Sequence, residues 1–214
     1  MANVLDTLRQ KTEKALPERK KIDLPLFPLS SVLFPGGLLR IKVFEARYLE
    51  MASACLSNKT PFGVCLISSS QEVGASAIPH EVGTTACITE VDRSQPDPLV
   101  LKIQGQHRFR ILSSVVQADG LLNATVELFD ETESREMSAV HQELLPLLKQ
   151  IIGDLGADKV AKPYAFDDAN WVSYRLTEVL PIQPLAKQKL LELDDPIARL
   201  EIIHAYLTQH QLVK

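Results

Sequence analysis

Several features that would identify an enzyme or a membrane protein are missing from this sequence. No glycine is followed by lysine, so the chain has no phosphate-binding loop of the ATPase type, and it has no G-x-S-x-G segment of the serine hydrolases. No apolar run approaches the ~20 residues that a transmembrane helix requires. Residues 1–21 carry charges without an apolar core behind them, which argues against a secretory signal. We therefore expect a soluble, cytoplasmic protein.

The sequence also contains few cysteines and histidines that could form disulfides or bind a metal ion. The three cysteines, Cys55, Cys65 and Cys87, stand among apolar neighbours without C-x-x-C spacing, and an odd number cannot complete a disulfide framework. The five histidines are scattered along the chain without the spacing of metal ligands. The sequence predicts buried free thiols, no metal site and no cofactor.

The stretch from Leu24 to Leu66 organises the N-terminal part of the chain. Pro25, Pro28 and Pro35 interrupt its first apolar run, and because each lacks a backbone donor, we expect these segments at sheet edges and corners. In order, the stretch predicts a turn at Pro35-Gly36-Gly37, a strand over 38–44, a helix from Glu45 that buries Ala46, Leu49, Ala52, Ser53 and Leu56, and a buried strand over 62–67.

Short strands continue to about residue 131 and helices follow. Alternating apolar residues predict strands over 82–91, 99–104, 109–115 and 121–130, with a break at Gly105. Helical spacing then predicts helices that begin at Ser134, at Asp167 or Asp168, at Leu185 and at Asp195-Pro196, with Pro146 breaking the first near Leu144-Leu145. We predict an α+β fold: an N-terminal extension (residues 1–21), a small mixed β-barrel with one inserted helix (22–131) and a C-terminal helical subdomain (132–214).

Six segments carry a family resemblance. In the order LPLFPLSSVLFPGG, FEARYLEM, PFGVCLI, EVGTTACITEV, IQGQHRFRI and LLELDDPIARLE, they resemble the N-terminal, substrate-recognition domain of ATP-dependent Lon proteases, and the small stand-alone bacterial proteins made of that domain only. The resemblance implies a PUA-like barrel and a polypeptide-binding module for unfolded or exposed apolar segments. The ATPase and serine-lysine peptidase modules of Lon have no counterpart here, so we expect no enzymatic activity.

Candidate peptide-binding residues surround the proline-broken stretch. Apolar side chains there predict a groove between barrel and helices, and the FEARY segment adds a polar pair that would anchor a bound chain. A purely structural interpretation is also open, in which Glu45 favours the helix N-terminus and Arg47 ties strand to helix. The candidates are Leu33, Phe34, Phe44, Glu45, Arg47 and Tyr48.

Two other functions stay open at this stage. Lys102, His107, Arg108 and Arg110 would form a basic patch on a PUA-like barrel and bind RNA, although the net charge of −4 and the lack of interleaved aromatics favour a solvated strand face. A small-molecule role is the third hypothesis, because a Lon-like fold also occurs in the substrate receptor cereblon. Trp171 is the only tryptophan, so the tryptophan cage of that receptor's separate ligand domain has no equivalent. The expected partners are polypeptides, with a protease system as an additional candidate, and nucleic acid or membrane partners are not expected.

Overall fold

A computed structural model describes residues 19–68, 78–92, 94, 98–130, 135–156 and 159–212. Of the predicted N-terminal extension, residues 1–18 lie outside this part, as does the predicted helix start at Ser134. The elements are β1 (Lys21–Leu29), β2 (Leu38–Val43), α1 (Ala46–Asn58), β3 (Phe62–Leu66), β4 (Val82–Asp92), β5 (Leu99–Val116), β6 (Leu122–Leu128), α2 (Ala139–Gln142), α3 (Leu145–Leu155), α4 (Ala169–Val179), α5 (Pro184–Glu192) and α6 (Pro196–Gln209).

The strands form a six-stranded mixed sheet within the described residues. Their order is β2-β5-β4-β3-β1-β6, and β5 also pairs with β6. The β1–β3 pair is parallel, whereas the other neighbours are antiparallel. Strand β5 extends over 18 residues, so residues 99–104 pair with β2 on one side, residues 100–110 pair with β4 on the other, and residues 109–116 pair with β6. The prediction of a mixed α+β fold is confirmed at this level.

Strand β1 lies between β3 and β6 in the sheet order, but its prolines still have the edge-like surroundings that the sequence predicted. It pairs with β6 through Lys21–Leu26 and with β3 through Leu26–Leu29. The two registers overlap only at Leu26, so each half of the strand has a neighbour on one side. In such a half, the backbone nitrogen of a proline can face the side that has no neighbouring strand, where no hydrogen bond is lost. The strand therefore tolerates Pro25 and Pro28.

Gly105 does not break a strand, and β5 runs through it. The Gly36 N–H donates to Gly105 O at 2.8 Å, and the Gly105 N–H donates to Gly37 O at 2.9 Å. A Cβ at position 105 would overlap the backbone oxygen of Phe34. Glycine is present because the Pro35-Gly37 turn lies directly against the strand.

Helix α1 packs with a different face from the one predicted. Its buried residues are Met51, Ala52 and Cys55, whereas Ser53 and Leu56 are exposed. The helix covers a core formed mainly by β1, β2, β3 and β5, to which Phe27, Ile41, Val64 and Ile103 contribute. Cys65 is also buried, and its burial raises the pKa of the thiol to about 12. The prediction of buried free thiols therefore holds for Cys55 and Cys65, whereas Cys87 is only half-buried.

The helices after β6 start and stop largely where the sequence indicated. Asp168 and Asp195 each accept a hydrogen bond from the backbone N–H two residues further on, which caps α4 and α6. The predicted break at Leu144-Leu145 is present, with Pro146 in the first turn of α3. Met137 is buried but precedes α2, so its predicted place on a helix was wrong.

Candidate functional site

The FEARY segment, residues 44–48, anchors the start of helix α1 to the sheet and to the β5–β6 turn. Arg47 Nη2 lies 2.6 Å from Glu45 Oε2, and Arg47 Nη1 donates to Gly120 O, in the turn between β5 and β6, at 2.8 Å. The Tyr48 ring stands edge-on to Phe27, with the ring centroids 4.3 Å apart. These contacts support the structural interpretation of Glu45 and Arg47 that the sequence left open.

The apolar candidates divide into buried and accessible residues. Leu33 and Phe34 are 3% and 0% exposed, and the Phe34 ring packs 5.6 Å from that of Tyr174. Leu33 and Phe34 therefore contribute mainly to the hydrophobic core. Phe44 is 68% exposed just after β2, so of the six candidates it offers the largest accessible apolar surface.

The predicted basic patch is not a continuous surface. Arg108 is 4% exposed and donates to Leu191 O at 2.9 Å and Leu193 O at 3.1 Å, which corrects its assignment to a solvated strand face. Its guanidinium also pairs with Asp194 at 2.9 Å. Lys102 lies 3.9 Å from Glu90, and the guanidinium of the exposed Arg110 lies 5.6 Å from the centre of the Phe129 ring. His107 is exposed.

A groove does lie between the sheet and the helices, as the sequence predicted; we call it the junction groove. It has a volume of about 450 Å³, and its sheet-side wall comes from the β1–β2 connection and the start of β2. The apolar residues of the proline-broken stretch that line it are Val32, Leu33, Leu38 and Leu39, whereas Phe34, Phe44 and Tyr48 do not line it. The helical side consists of Leu155, Lys159, Val160, Glu178, Val179, Ile182, Pro184 and Lys187.

Glu178 gives the junction groove a titratable group. Its carboxylate accepts from Arg175 Nη2 at 3.1 Å, and Arg175 Nη2 also donates to Pro35 O at 2.6 Å. Burial raises the pKa of Glu178 to about 7 despite the attraction of Arg175 and Lys187. The side chain is still 22% exposed, so solvent protons reach it. A Cβ at Gly37 would overlap Glu178 Oε1, which explains the second glycine of the turn.

A larger and more apolar groove lies within the helical part; we call it the helical groove. It has a volume of about 790 Å³ and lies between the α4–α5 connection, α5 and α6. Leu180, Leu190 and Ile203 are at most 6% exposed and form its floor, whereas Ile202 is 50% exposed at its rim. The other lining residues are Pro181, Ile182, Gln183, Ala186, Lys189, Glu192, Leu193 and Tyr206.

Sequence reasoning missed the helical groove, although a signal was present. Helical spacing from the Asp195-Pro196 start predicts an inward face of Ile197, Leu200, Ile203, His204 and Leu207, and that face already occupies one side of α6. Ile202 and Tyr206 are separated by four residues on another face. A second apolar stripe beside a complete core stripe is typical of a helix that contacts something further. The two grooves share Ile182.

Two other kinds of site find no support in the part of the chain that the structure describes. None of its helices has the length and apolarity needed to cross a membrane. Among the same residues, His, Cys, Asp and Glu side chains do not gather in groups of three or more that would hold a metal ion.

The mixed α+β fold with two open grooves is compatible with a binding domain, and comparison with known proteins identifies the family. The family model of the substrate-binding domain of ATP-dependent protease La (LON) matches residues 23–209, so the chain belongs to that family. The predicted resemblance is thereby confirmed. Substrate binding is the role that the family's description gives to this domain.

Solved structures and curated relatives agree with this assignment. The Lon N-terminal domain protein from Xanthomonas campestris is 34% identical, with a TM-score of 0.73 over 86% of this chain and 98% of that one. The N-terminal domain of the Mycobacterium avium complex Lon protease, 18% identical with a TM-score of 0.62 over 88% of this chain and all of that one, supports the fold alone. The Lon protease of Anaeromyxobacter dehalogenans is 28% identical in a match that covers 60% of this chain. The same match covers only 16% of that protein's length. The regions matched are those of the N-terminal domain, not of a catalytic module.

Proposed function

We propose that this protein is a non-catalytic, cytoplasmic polypeptide-binding module that recognises exposed apolar segments of unfolded proteins. The observation that carries the proposal is the helical groove, whose floor of Leu180, Leu190 and Ile203 is apolar and whose mouth is open. An open apolar groove of this size on a substrate-binding domain suits apolar side chains of a second polypeptide.

Binding through this surface would be transient. Apolar burial contributes roughly 25 cal/mol per Å² before the costs of association, so a groove that takes a few side chains gives modest affinity. Weak, reversible capture suits a module that passes polypeptides to another component, such as a protease system. Ile182 continues the surface into the junction groove, and Phe44 is a further candidate contact.

The same proposal includes a closed, PUA-like barrel for residues 22–131. Pairing of β5 with both β4 and β6 supports closure, because the sequence of neighbours β5-β4-β3-β1-β6 returns to β5. We also keep the domain limits proposed from the sequence, with the helical subdomain over 132–214.

The RNA and small-molecule alternatives receive less support. A phosphate-binding face needs available cations, but Arg108 is engaged with Asp194 and two carbonyl groups. No feature of the described residues resembles an aromatic ligand cage aimed into either groove. The RNA alternative gives a distinct result in the experiment below.

The test is the fluorescence anisotropy of a labelled, permanently unfolded polypeptide titrated with the full chain at low and high salt. Ile202→Asp places a charge at the rim of the helical groove, and we expect it to weaken binding about tenfold or more. Leu185→Asp is the matched control, because Leu185 is 56% exposed on α5 but lies outside the lining of both grooves. Both sites are exposed, so neither variant should unfold.

Three results would argue against the proposal. Equal weakening by both variants would remove the helical groove from the site, and absence of polypeptide binding would remove the function. Tight binding of a single-stranded RNA that falls steeply with salt and is lost in Arg110→Ala would favour the nucleic-acid alternative. Arg110 is the suitable variant because it is exposed, whereas Arg108→Ala would disturb the fold.

A further inference from the structure

We propose that the helical groove accepts its polypeptide as an amphipathic helix and not as an extended strand. The inference rests on the proposed function and specifies the conformation and pattern of the segment that is bound. The occupant is therefore a stretch of a client polypeptide with apolar residues at i, i+3, i+4 and i+7.

The walls of the groove are themselves helix faces. Ala186, Leu190 and Leu193 follow one another at i, i+4 and i+7 along α5 and its C-terminal end, and Ile202 and Tyr206 at i and i+4 along α6. Side chains at this spacing form ridges along a helix. A third helix can place one apolar face between two such ridges, which is how amphipathic helices bind in grooves.

In the α4–α5 connection that borders the groove, residues 180–182 have no N–H group left to pair with an added strand. The Leu180 N–H donates to Leu176 O at 3.0 Å, the Ile182 N–H donates to Leu180 O at 2.9 Å, and Pro181 has no N–H. A strand laid against this connection would leave its own C=O groups without partners, which is costly in an apolar groove. A helix satisfies these groups internally.

The charges that line the groove determine whether the contacting face of the occupant is charged or uncharged. The two charged residues in the lining, Lys189 and Glu192, pair with each other at 2.8 Å. The groove therefore presents no uncompensated charge, and the contacting face of the occupant must be uncharged. The volume of about 790 Å³ lies within the range of ~300–1,000 Å³ that ligand sites cover. The three or four apolar side chains that a helix displays over two turns are a set of suitable size.

Three labelled peptides test the inference on the full chain by anisotropy. The first is a peptide of about 16 residues, long enough for measurable helicity, with leucines at i, i+3, i+4 and i+7 in an Ala/Gln/Lys background. The second has the same composition in scrambled order without an apolar face. The third replaces one central alanine of the first by proline, which interrupts the helix and leaves the leucines unchanged.

We expect the first peptide to bind about tenfold or more tightly than the other two, and Ile202→Asp but not Leu185→Asp to remove this difference. Cα chemical shifts of the ¹³C-labelled peptide should move to helical values on binding. Equal affinity of all three peptides, lost in Ile202→Asp, would overturn the helical inference and leave the proposed function intact. Binding of none of them, with no binding of an unfolded polypeptide, would overturn the proposed function.

Two other occupants would also overturn the inference. Residues 1–18 contain Val4, Leu5 and Leu8, so the chain's own N-terminal segment is a competitor. If Leu5→Asp with Leu8→Asp raises peptide affinity, the groove is filled by that segment. If the mass in solution doubles with concentration and Ile202→Asp abolishes the doubling, the occupant is a second copy. Unchanged affinity and a constant mass support the client helix.

Discussion

Arg108 of β5 and Arg199 of α6 donate to the same carbonyl oxygen, that of Leu193, at 3.1 and 2.6 Å. Arg108 also binds Leu191 O, and Arg199 Nε binds Leu190 O at 3.0 Å. Carbonyl groups at the end of a helix lack intrahelical partners and carry the negative end of the helix dipole. Two guanidinium groups, one from the sheet and one from the helices, thus cap α5. This explains how Arg199 is 0% exposed without a carboxylate among its hydrogen-bond partners.

We predict that Arg199→Lys lowers the free energy of unfolding by about 2–4 kcal/mol, since one ammonium group cannot span the Leu190 and Leu193 carbonyls and the Ser173 hydroxyl, which the guanidinium contacts together. Urea denaturation measures the change. Arg135→Lys is the control, because Arg135 pairs with Asp195 at the surface, where both side chains are more than half exposed, and should change stability by less than about 0.5 kcal/mol. Equal effects of the two variants would refute the capping role.

A second prediction concerns two glycines with opposite surroundings. Gly105→Ala should destabilise by about 1–3 kcal/mol, because its Cβ would overlap backbone at Phe34 and push the Pro35-Gly37 turn off β5. Gly153→Ala should stabilise by about 0.5–1 kcal/mol, since nothing lies within 4 Å of a Cβ in that helical position. Thermal melts of the two variants should therefore shift in opposite directions, and a shift of both in the same direction would contradict the close approach.

The pH dependence of stability is the third prediction. The pKa of Glu178 is raised from 4.5 to about 7 in the folded state. The folded state then binds more protons, so this stabilising contribution is complete below pH 4.5 and is lost as the pH rises through about 7. It amounts to at most roughly 3–4 kcal/mol, because each tenfold change in proton affinity corresponds to about 1.4 kcal/mol.

Glu178→Gln should abolish this contribution. The unfolding free energies of the original chain and of Glu178→Gln are measured in urea at pH 5 and at pH 8. Relative to the variant, the original chain should be less stable at pH 8 than at pH 5. Glu201→Gln, on the exposed side of α6, controls for the general loss of a carboxylate. A difference that is the same at both pH values would show that Glu178 does not titrate in this interval.

The sequence predicted what local periodicity determines, and it failed where distant segments meet. The caps at Asp168 and Asp195 and the break before Pro146 depend on neighbours a few residues away, and all three are present. Gly105 was assigned as a break because only its lack of a side chain was visible, and not the turn packed against it.

The candidate site shows the same division. Arg108 has the alternation of an outward residue, and its burial depends on the C-terminal end of α5, 83 residues later. The exposed position of Phe44 was open to sequence reasoning, because in the predicted strand 38–44 it shares a face with Arg40 and Lys42. The helical groove needs three separate segments to come together, so a single amphipathic pattern could not predict it.

The last prediction separates anchoring from binding in the FEARY segment. Arg47→Met removes the hydrogen bond to Gly120 O, the ion pair with Glu45 and the guanidinium that lies 4.8 Å from the centre of the Tyr48 ring, and leaves an unbranched apolar side chain in its place. We expect the free energy of unfolding to fall by about 1–2 kcal/mol, because the Gly120 carbonyl loses its partner and the partly exposed ion pair adds a smaller term. Affinity for the unfolded polypeptide should stay unchanged, measured by anisotropy below the melting transition. Lys42→Met, at an exposed position of β2, is the matched control. If Arg47→Met weakened polypeptide binding tenfold at unchanged stability, Arg47 would belong to the binding surface and its anchoring role would be secondary.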